Sequence, residues 1–368
     1  MRNFSIITIM DSETNNSNKI DPSIIKDTQE YYGKILNKSS DLKTNACCTM
    51  IKYPDYILNA FNKISDEILE SYYGCGIIIP DCLEDANIID LGCGTGRDVY
   101  LLSQLVGEQG NVLGIDMTRE QLDIAEKYIE QHRNINNYQK SNVSFKQAYI
   151  ELLPELNLPN NSYDIIVSNC VVNLSSNKEL VLKNIYDLLK TGGEFYFSDV
   201  YSSQRITNEL KHDKVLWGEC LSGALYWNDF VHLAKKCGFM DPRLVTSEPI
   251  TIQNKELEKK IGHIKFYSAT YRLFKLPDLL EPDCEDYGQA VIYKGTIPNN
   301  PEYWNLDGHH KIIKNKIFPV CGNTWNMLYH SRFNKHFEFI GNFNNHYGIF
   351  DGCGKSIPFA DNNSNSCC

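Results

Sequence analysis

The sequence predicts an α/β fold: a doubly wound, mostly parallel sheet with helices on both faces, followed by a smaller α+β part towards the C-terminus. Short apolar runs alternate with segments of helical periodicity between residues 88 and 237. A glycine-rich turn joins the first apolar run to the helix that follows it. After about residue 241 the alternation stops, and strands predominate.

An amphipathic helix is predicted first, over residues 54–73, because the apolar side chains recur at helical spacing until Gly74. Strands are then predicted at residues 88–91, 112–117, 143–149, 163–168 and 194–198, and helices at residues 97–106, 118–132, 180–189 and 227–237. Thr118 and Gln121 have the spacing of a capping box at the start of their helix. Farther along, strands are predicted at residues 244–252, 266–274 and 290–293, and a helix at residues 254–261.

The composition is that of an ordinary globular protein, with 42% apolar and 22% charged residues among 368. The net charge of −10 argues against nucleic acid or an anionic membrane as the main partner. No segment has the pattern of a signal peptide or the length of a membrane span, so a cytoplasmic protein is expected. We expect a disordered tail at residues 1–26, the sheet domain at 27–240, an α+β domain at 241–297, and a C-terminal domain with a flexible tail at 298–368.

The glycine-rich turn contains Gly92, Gly94 and Gly96, which are spaced more closely than the glycines of dinucleotide-binding domains. Asp90 lies just before these glycines, and Asp116 ends the next predicted strand. An acid at that strand end can accept hydrogen bonds from both hydroxyls of a ribose. A tight turn alone would also explain the glycines, but the two acids together with them favour a nucleoside ligand.

This spacing resembles motif I of class I methyltransferases, and the resemblance implies S-adenosylmethionine as the cofactor. A nicotinamide-binding domain is the less favoured alternative. The ends of the third and fourth strands are expected to complete the pocket. We expect ten residues to bind the cofactor: Tyr73, Asp90, Gly92, Gly94, Gly96, Asp116, Met117, Ile150, Glu151 and Asn169. Of these, Ile150 and Glu151 are expected near the adenine, and Asn169 near the methionine end.

Thirteen cysteines form a high and odd count for a chain of this length. In a reducing compartment such a surplus indicates soft-metal binding or redox chemistry, although cysteine is also a routine core residue. The count alone therefore does not decide between these interpretations, so the positions of the cysteines have to be considered.

Several cysteines lie in distinctive segments: Asp-Leu-Lys-Thr-Asn-Ala-Cys-Cys at residues 41–48, Tyr-Tyr-Gly-Cys-Gly at 72–76, Asn-Cys-Val-Val-Asn at 169–173 and Lys-Val-Leu-Trp-Gly-Glu-Cys at 214–220. With these segments, nearly the whole chain from about residue 28 resembles arsenite methyltransferases. The resemblance implies that Cys47, Cys75, Cys170 and Cys220 are catalytic. It further implies that Cys75, Cys170 and Cys220 bind trivalent arsenic, and that Cys47 is a resolving thiol that pairs with Cys75 once the arsenic is oxidised.

The chemistry of the residues agrees with the resemblance. Cys170 follows a predicted strand at the edge of the sheet where ligands bind, and a soft centre such as trivalent arsenic prefers thiolates. For any single cysteine, core packing stays the alternative, and we favour packing for Cys82, Cys237 and Cys284. Cys93 is expected to be inert. Either Cys47 or Cys48 could be the reactive thiol of that pair. For Cys367 and Cys368, both arsenite capture and a bystander role stay possible interpretations.

The resemblance thus implies methyl transfer from S-adenosylmethionine to arsenite and methylarsenite, giving mono-, di- and trimethylated products in arsenic detoxification. Residues 27–240 would form the cofactor-binding domain, and residues 241–297 would support the arsenic site. A monomer re-reduced by thioredoxin or glutathione is expected. Two alternatives stay open: a methyltransferase that acts on a carbon or oxygen acceptor, and a thiol protein that binds arsenite without turnover.

Overall fold

The computed structural model describes residues 54–71, 76–211, 213, 216–217, 220–252 and 254–353. The chain divides into two compact units, Met1–Lys275 and Leu276–Cys368. The predicted tail at residues 1–26 lies outside the described residues, as do Cys47, Tyr73 and Cys75. None of the helices that the structure describes is long and apolar enough to cross a membrane.

The first unit is built on an eight-stranded sheet in the order β3-β2-β1-β4-β5-β8-β7, with β6 beside β5. The strands are β1 (Asn87–Leu91), β2 (Asn111–Asp116), β3 (Val143–Gln147), β4 (Tyr163–Asn169), β5 (Leu189–Ser202), β6 (Leu225–Tyr226), β7 (Arg243–Pro249) and β8 (Phe266–Phe274). The neighbours from β3 to β5 are parallel, whereas β8 is antiparallel to both β5 and β7. This mostly parallel sheet confirms the predicted fold class.

Helices cover both faces of the sheet. They are α1 (Asp55–Phe61), α2 (Asp66–Glu70), α3 (Arg97–Val106), α4 (Arg119–Lys127), α5 (Ile129–Ile135), α6 (Lys178–Leu188), α7 (Asn208–Lys211), α8 (Trp227–Lys236) and α9 (Lys255–Ile261). On one face Ile185 and Phe230 of α6 and α8 pack on the sheet. On the other face Ile68 and Leu102 of α2 and α3 do so. Because both faces are covered, the central strands are almost continuously apolar, and β1 is buried from Ile88 to Leu91.

Two predicted helices are shorter in the structure. The helix expected over residues 54–73 is divided into α1 and α2, and the helix expected over residues 118–132 is divided into α4 and α5 at Tyr128. The predicted capping box was wrong, since within the described chain the Thr118 side chain makes no cap hydrogen bond. The physical reason is that Asp116 Oδ1 accepts the Thr118 N–H at 2.8 Å, and Gln121 lies beside the glycine turn instead.

The boundary between the units also differs from the predicted boundaries at residues 240 and 297. Strands β7 and β8 complete the large sheet, with β8 paired to β5 from Glu194 opposite Phe274 to Ser202 opposite Phe266. Arg272 of β8 forms a fully buried ion pair with Glu194 of β5, with 2.7 Å between Nε and Oε1. The pairing along the whole of β8 places this strand in the first unit.

The second unit contains a three-stranded antiparallel sheet in the order β13-β10-β14 and two smaller strand pairs. Its elements are β9 (Glu285–Asp286), β10 (Gln289–Tyr293), β11 (Tyr303–Asn305), β12 (Lys311–Ile313), β13 (Ile317–Val320), α10 (Gly322–Tyr329), β14 (Phe337–Ile340) and β15 (Gly348–Ile349). Cys321 precedes α10, and its sulfur accepts the Thr324 N–H, so this cysteine caps the helix.

Candidate functional site

The glycine turn follows β1 and leads into α3, at the carboxyl edge of the sheet. Gly92, Gly94 and Gly96 all have positive φ, at +74°, +53° and +85°, a conformation that side chains other than glycine rarely adopt. A Cβ at Gly92 would lie 2.4 Å from the Val171 side chain, whereas a Cβ at Gly94 would meet only the Gln121 amide oxygen at 3.8 Å. The turn is therefore closed against the protein at Gly92 and leaves space beside Gly94.

Asp116 holds this turn in place. Its Oδ2 accepts the Gly94 N–H at 2.9 Å, and its Oδ1 accepts the Thr118 N–H at 2.8 Å. The side chain is at the end of β2, which is parallel to β1, so the strand pairing itself brings the acid to the glycines. The Thr118 side chain and the Met117 N–H also hydrogen-bond to this carboxylate, so the acid is held firmly at the turn.

Three acids surround the glycine turn. Asp90 is almost completely buried at the end of β1, and burial together with the carboxylate of Asp98 raises the pKa of Asp90 well above its ordinary value. Burial also raises the pKa of Asp116, against the lowering effect of the N–H groups that it accepts. Clustered carboxyls of this kind favour a cationic ligand. A sulfonium that also carries an ammonium group fits this charge.

Gln121 of α4 was not predicted as a ligand-binding residue. Its Oε1 is buried and has no hydrogen-bond partner among the described residues, although it faces the open side of the turn at Gly94. A buried acceptor without a donor costs free energy, so a donor from a bound molecule would satisfy it. This orphaned oxygen, the space at Gly94 and the three acids together fit S-adenosylmethionine.

Asn169, at the end of β4, is linked to the same turn. Its Nδ2 donates to the Gly76 carbonyl at 3.0 Å and to Asp98 Oδ2 at 3.2 Å. Arg97 donates to the same Gly76 carbonyl at 2.7 Å and pairs with Asp98. Gly76 follows Cys75 directly in the sequence. Hydrogen bonds thus connect Gly76, the residue after a predicted arsenic ligand, with the first turn of α3.

The residues predicted near the adenine lie on a short 3-10 helix, Ile150–Leu156, which comes after β3. Ile150 and Glu151 are buried, and Met117 is half-buried directly after Asp116. The Glu151 carboxylate accepts the Ser175 hydroxyl at 2.6 Å, and its carbonyl accepts from Asn184. The adenine contacts of Ile150 and Glu151, and the cofactor contact of Met117, stay predictions.

Two of the predicted arsenic ligands come together. Cys170 follows β4, Cys220 lies on the loop before β6, and the Cys220 sulfur donates to the Cys170 carbonyl at 3.4 Å. Both are buried, and both have positive φ, 57° for Cys170 and 59° for Cys220. Left-handed backbone is strained for a cysteine, which makes both positions candidates for a functional role, although Cys82 has the same conformation with φ at 57°. Cys170 is bonded in a disulfide, whereas Cys220 carries a thiol.

Five of the other cysteines discussed above lie outside the described residues: Cys47, Cys48, Cys75, Cys367 and Cys368. Cys93 and Cys237 are described. Cys93 is buried within the glycine turn, where burial and the Asp116 carboxylate raise its pKa well above the ordinary value. Cys237 is buried beside α6, with its sulfur 3.7 Å from the Glu179 carbonyl. In the part of the chain that the structure describes, no group of three His, Cys, Asp or Glu side chains could hold a metal ion.

Sequence reasoning missed Lys178, which is close enough to Cys220 for that thiol to affect the pKa of its ammonium. Lys178 of α6 donates to the Ser175 carbonyl at 2.9 Å and lies over the Trp217 ring at 5.8 Å. Burial lowers the pKa of Lys178 to about 8, although Asp199 and Glu151 raise it. No local pattern marks these residues, because their proximity depends on how β4, β5 and α6 pack.

Comparison with known proteins gives consistent matches. A family model described as a methyltransferase domain matches residues 83–238, and a model of the arsenite methyltransferase C-terminal domain matches residues 287–355. The chain is 53% identical over 344 residues to the arsenite methyltransferase of Aquipseudomonas alcaligenes, covering 92% of this chain and 99% of that protein. It is 48% identical over 319 residues to the arsenite methyltransferase of Homo sapiens, covering 86% and 84%.

A solved structure also matches over most of the chain. It is the crystal structure of an arsenic(III) S-adenosylmethionine methyltransferase from Chlamydomonas reinhardtii, with a TM-score of 0.79 and 45% identity. The match covers 82% of this chain and 100% of that chain.

Proposed function

The chain belongs to the arsenite methyltransferase family, and on that premise we propose that it methylates trivalent arsenic held by cysteine thiolates. It is an S-adenosylmethionine-dependent methyltransferase, so the donor side of the reaction is given by the family. The observation that carries the acceptor side is the pair of buried, strained cysteines, Cys170 and Cys220, joined by a 3.4 Å contact at the carboxyl edge of the sheet.

The proposed ligands of arsenic are the thiolates of Cys75, Cys170 and Cys220. Trivalent arsenic is soft and thiophilic, which favours sulfur over nitrogen or oxygen ligands. The contacts of Gly76 support Cys75 as the third ligand, because Asn169 and Arg97 hold the neighbouring peptide beside the glycine turn. Arsenite and methylarsenite are the proposed substrates, and mono-, di- and trimethylated arsenicals are the proposed products.

S-adenosylmethionine supplies an electrophilic methyl group on its sulfonium. The arsenic lone pair forms the new As–C bond while the S–C bond breaks and its electron pair stays on sulfur, leaving S-adenosylhomocysteine. No proton has to leave the arsenic for this bond to form, so no general base is required. Catalysis by the protein then consists mainly of positioning: the cysteines place the arsenic, and Asp116 and the glycine turn place the donor.

The transfer oxidises arsenic formally from the trivalent to the pentavalent state, so two electrons must return before another round. A protein dithiol supplies them and becomes a disulfide, for which we propose Cys47 with Cys75, and thioredoxin or glutathione reduces that disulfide again. Cys170 is itself disulfide-bonded in this structure, so it must be reduced before it can bind arsenite. The cytoplasmic location and the monomeric state stay predictions.

The change Cys220→Ser tests the proposed ligand set. A hydroxyl is a poor ligand for a soft centre, so we expect arsenite turnover to fall by about 100-fold or more while the affinity for S-adenosylhomocysteine stays within about twofold. Turnover is measured by separating methylated arsenicals chromatographically and counting arsenic, and affinity by calorimetry. Cys237→Ser is the matched control, because Cys237 is also a buried thiol but lies beside α6.

Two outcomes would count against the proposal. Undiminished arsenite turnover in Cys220→Ser would remove Cys220 from the ligand set. A wild-type protein that binds the cofactor and arsenite without forming methylated arsenic would contradict the catalytic role of the thiols.

A further inference from the structure

We infer that Asp199, Asn173 and Gly223 form a positioning element that sets the separation between Cys170 and Cys220. The inference rests on the proposed function, because it concerns the two cysteines that are proposed to bind arsenic. Their contacts are with the backbone of the segments that carry the two cysteines, so each is a positioning residue.

Asp199 fixes the turn that follows Cys170. It lies on β5 with 1% of its surface exposed. Its Oδ2 accepts the Asn173 N–H at 2.9 Å, and its Oδ1 accepts the Val200 N–H at 2.8 Å. A buried carboxylate that accepts two backbone N–H groups holds them more tightly than a neutral acceptor would. The short 3-10 helix Val172–Leu174, two residues after Cys170, is thereby attached to the centre of the sheet.

Asn173 strengthens the same attachment. Its side-chain amide donates to the Val200 carbonyl at 2.5 Å, so both its backbone and its side chain bond to β5. Cys170 itself donates its N–H to the Ser198 carbonyl at 2.9 Å. The segment from Cys170 to Asn173 therefore has little freedom to move relative to β5.

Gly223 brings the second cysteine loop against this segment. A Cβ at Gly223 would lie 2.3 Å from the Asn173 carbonyl oxygen and 3.2 Å from its carbon. Only glycine permits that approach, and the reason is steric, since Gly223 is not among the residues with positive φ. Cys220 lies three residues earlier on the same loop, and its N–H donates to the Trp217 carbonyl. The distance between the loop and the turn, and hence between the sulfurs, depends on this contact.

A side chain at Gly223 would displace the Cys220 loop and slow the reaction. Relieving the contact of a Cβ at 2.3 Å requires the Cys220 loop to move out by about 1 Å. A displacement of about 1 Å in a reacting group lowers a rate by about 100-fold. The positive φ of both cysteines gives further reason for a supporting element, because strained backbone persists only where its surroundings fix it.

The test compares Gly223→Ala with Gly193→Ala. Gly193 lies at the opposite end of β5, and a Cβ there would meet the Lys190 carbonyl at 2.8 Å, so it imposes a similar backbone conflict far from the cysteines. We expect Gly223→Ala to lower arsenite turnover by about 100-fold and Gly193→Ala to leave it within about threefold. X-ray absorption at the arsenic edge should show fewer sulfur neighbours around arsenic bound to Gly223→Ala than to Gly193→Ala, and affinity for S-adenosylhomocysteine should match in both.

Asp199→Asn provides a second variant of nearly unchanged shape. Its amide keeps one acceptor oxygen and presents N–H groups to the other backbone donor, so we expect arsenite affinity to fall by about tenfold with cofactor affinity unchanged. Turnover and sulfur coordination in Gly223→Ala equal to those in Gly193→Ala would overturn the inference. A wild-type protein that does not methylate arsenite contradicts the proposed function instead, and the sulfur-coordination comparison still decides the positioning.

Discussion

The change Asp116→Asn tests how the glycine turn holds its ligand. Asp116 accepts the N–H groups of Gly94 and Thr118 through different oxygens. Asparagine keeps the shape but has one acceptor oxygen, so its NH₂ group faces one of these two N–H donors. The negative charge beside the proposed sulfonium site is lost at the same time.

The expected magnitude follows from those bonds. A hydrogen bond to a charged group contributes about 1.5–3 kcal/mol. Losing one such bond, to the turn or to a ribose hydroxyl, corresponds to cofactor binding that is about 10 to 150 times weaker. Because Asp116 is half-buried on β2, with its strand neighbours unchanged, the fold should persist.

Isothermal titration calorimetry with S-adenosylhomocysteine measures this loss. Asp123→Asn is the matched control, since Asp123 pairs with Arg119 at the surface and 67% of its side chain is exposed. The control should bind as tightly as the wild type. A dissociation constant for Asp116→Asn within about twofold of the wild type would refute the assignment of Asp116 to the cofactor site.

Two further predictions concern stability and the inert thiol. Burial lowers the pKa of His132 from 6.5 to about 4 in the folded protein. As the pH falls below 6.5, His132 is therefore protonated in the unfolded chain before it is protonated in the folded one, and the free energy of unfolding decreases. Between pH 7.5 and 5 the loss should be about 2 kcal/mol in urea titrations, and His132→Gln should remove it; an equal pH dependence in both proteins would contradict this. Cys93→Ala should retain arsenite turnover within about threefold, because the thiol is buried with a raised pKa. A loss as large as that of Cys220→Ser would show that Cys93 is not inert.

Much of the fold could be predicted from periodicity, because β1 to β5 and their helices follow a regular alternation. Strands were also predicted where β7 and β8 lie, but their place in the large sheet was not. No pattern at residues 243–274 reveals that β8 pairs with β5, since this depends on contacts between segments far apart in the chain. The buried Arg272–Glu194 pair between these two strands is likewise visible only in the folded chain.

The candidate site divides in the same way. The glycines and Asp116 could be predicted because a strand, a turn and an acid have a local spacing. Gln121 was interpreted as a capping residue, since the sequence does not show that Asp116 accepts the Thr118 N–H instead. Cys170 and Cys220 are 50 residues apart, so their contact could be expected only from a family resemblance.

Methyl transfer to arsenic by the purified full-length protein tests the proposed activity most directly. The protein is incubated with arsenite, a dithiol reductant and S-adenosylmethionine that carries an isotopic label in its methyl group. We expect the label to appear on arsenic, with S-adenosylhomocysteine formed in step and the product series extending from mono- to trimethylated species. Cofactor and arsenite that both bind while the label stays on the donor would contradict the proposed activity.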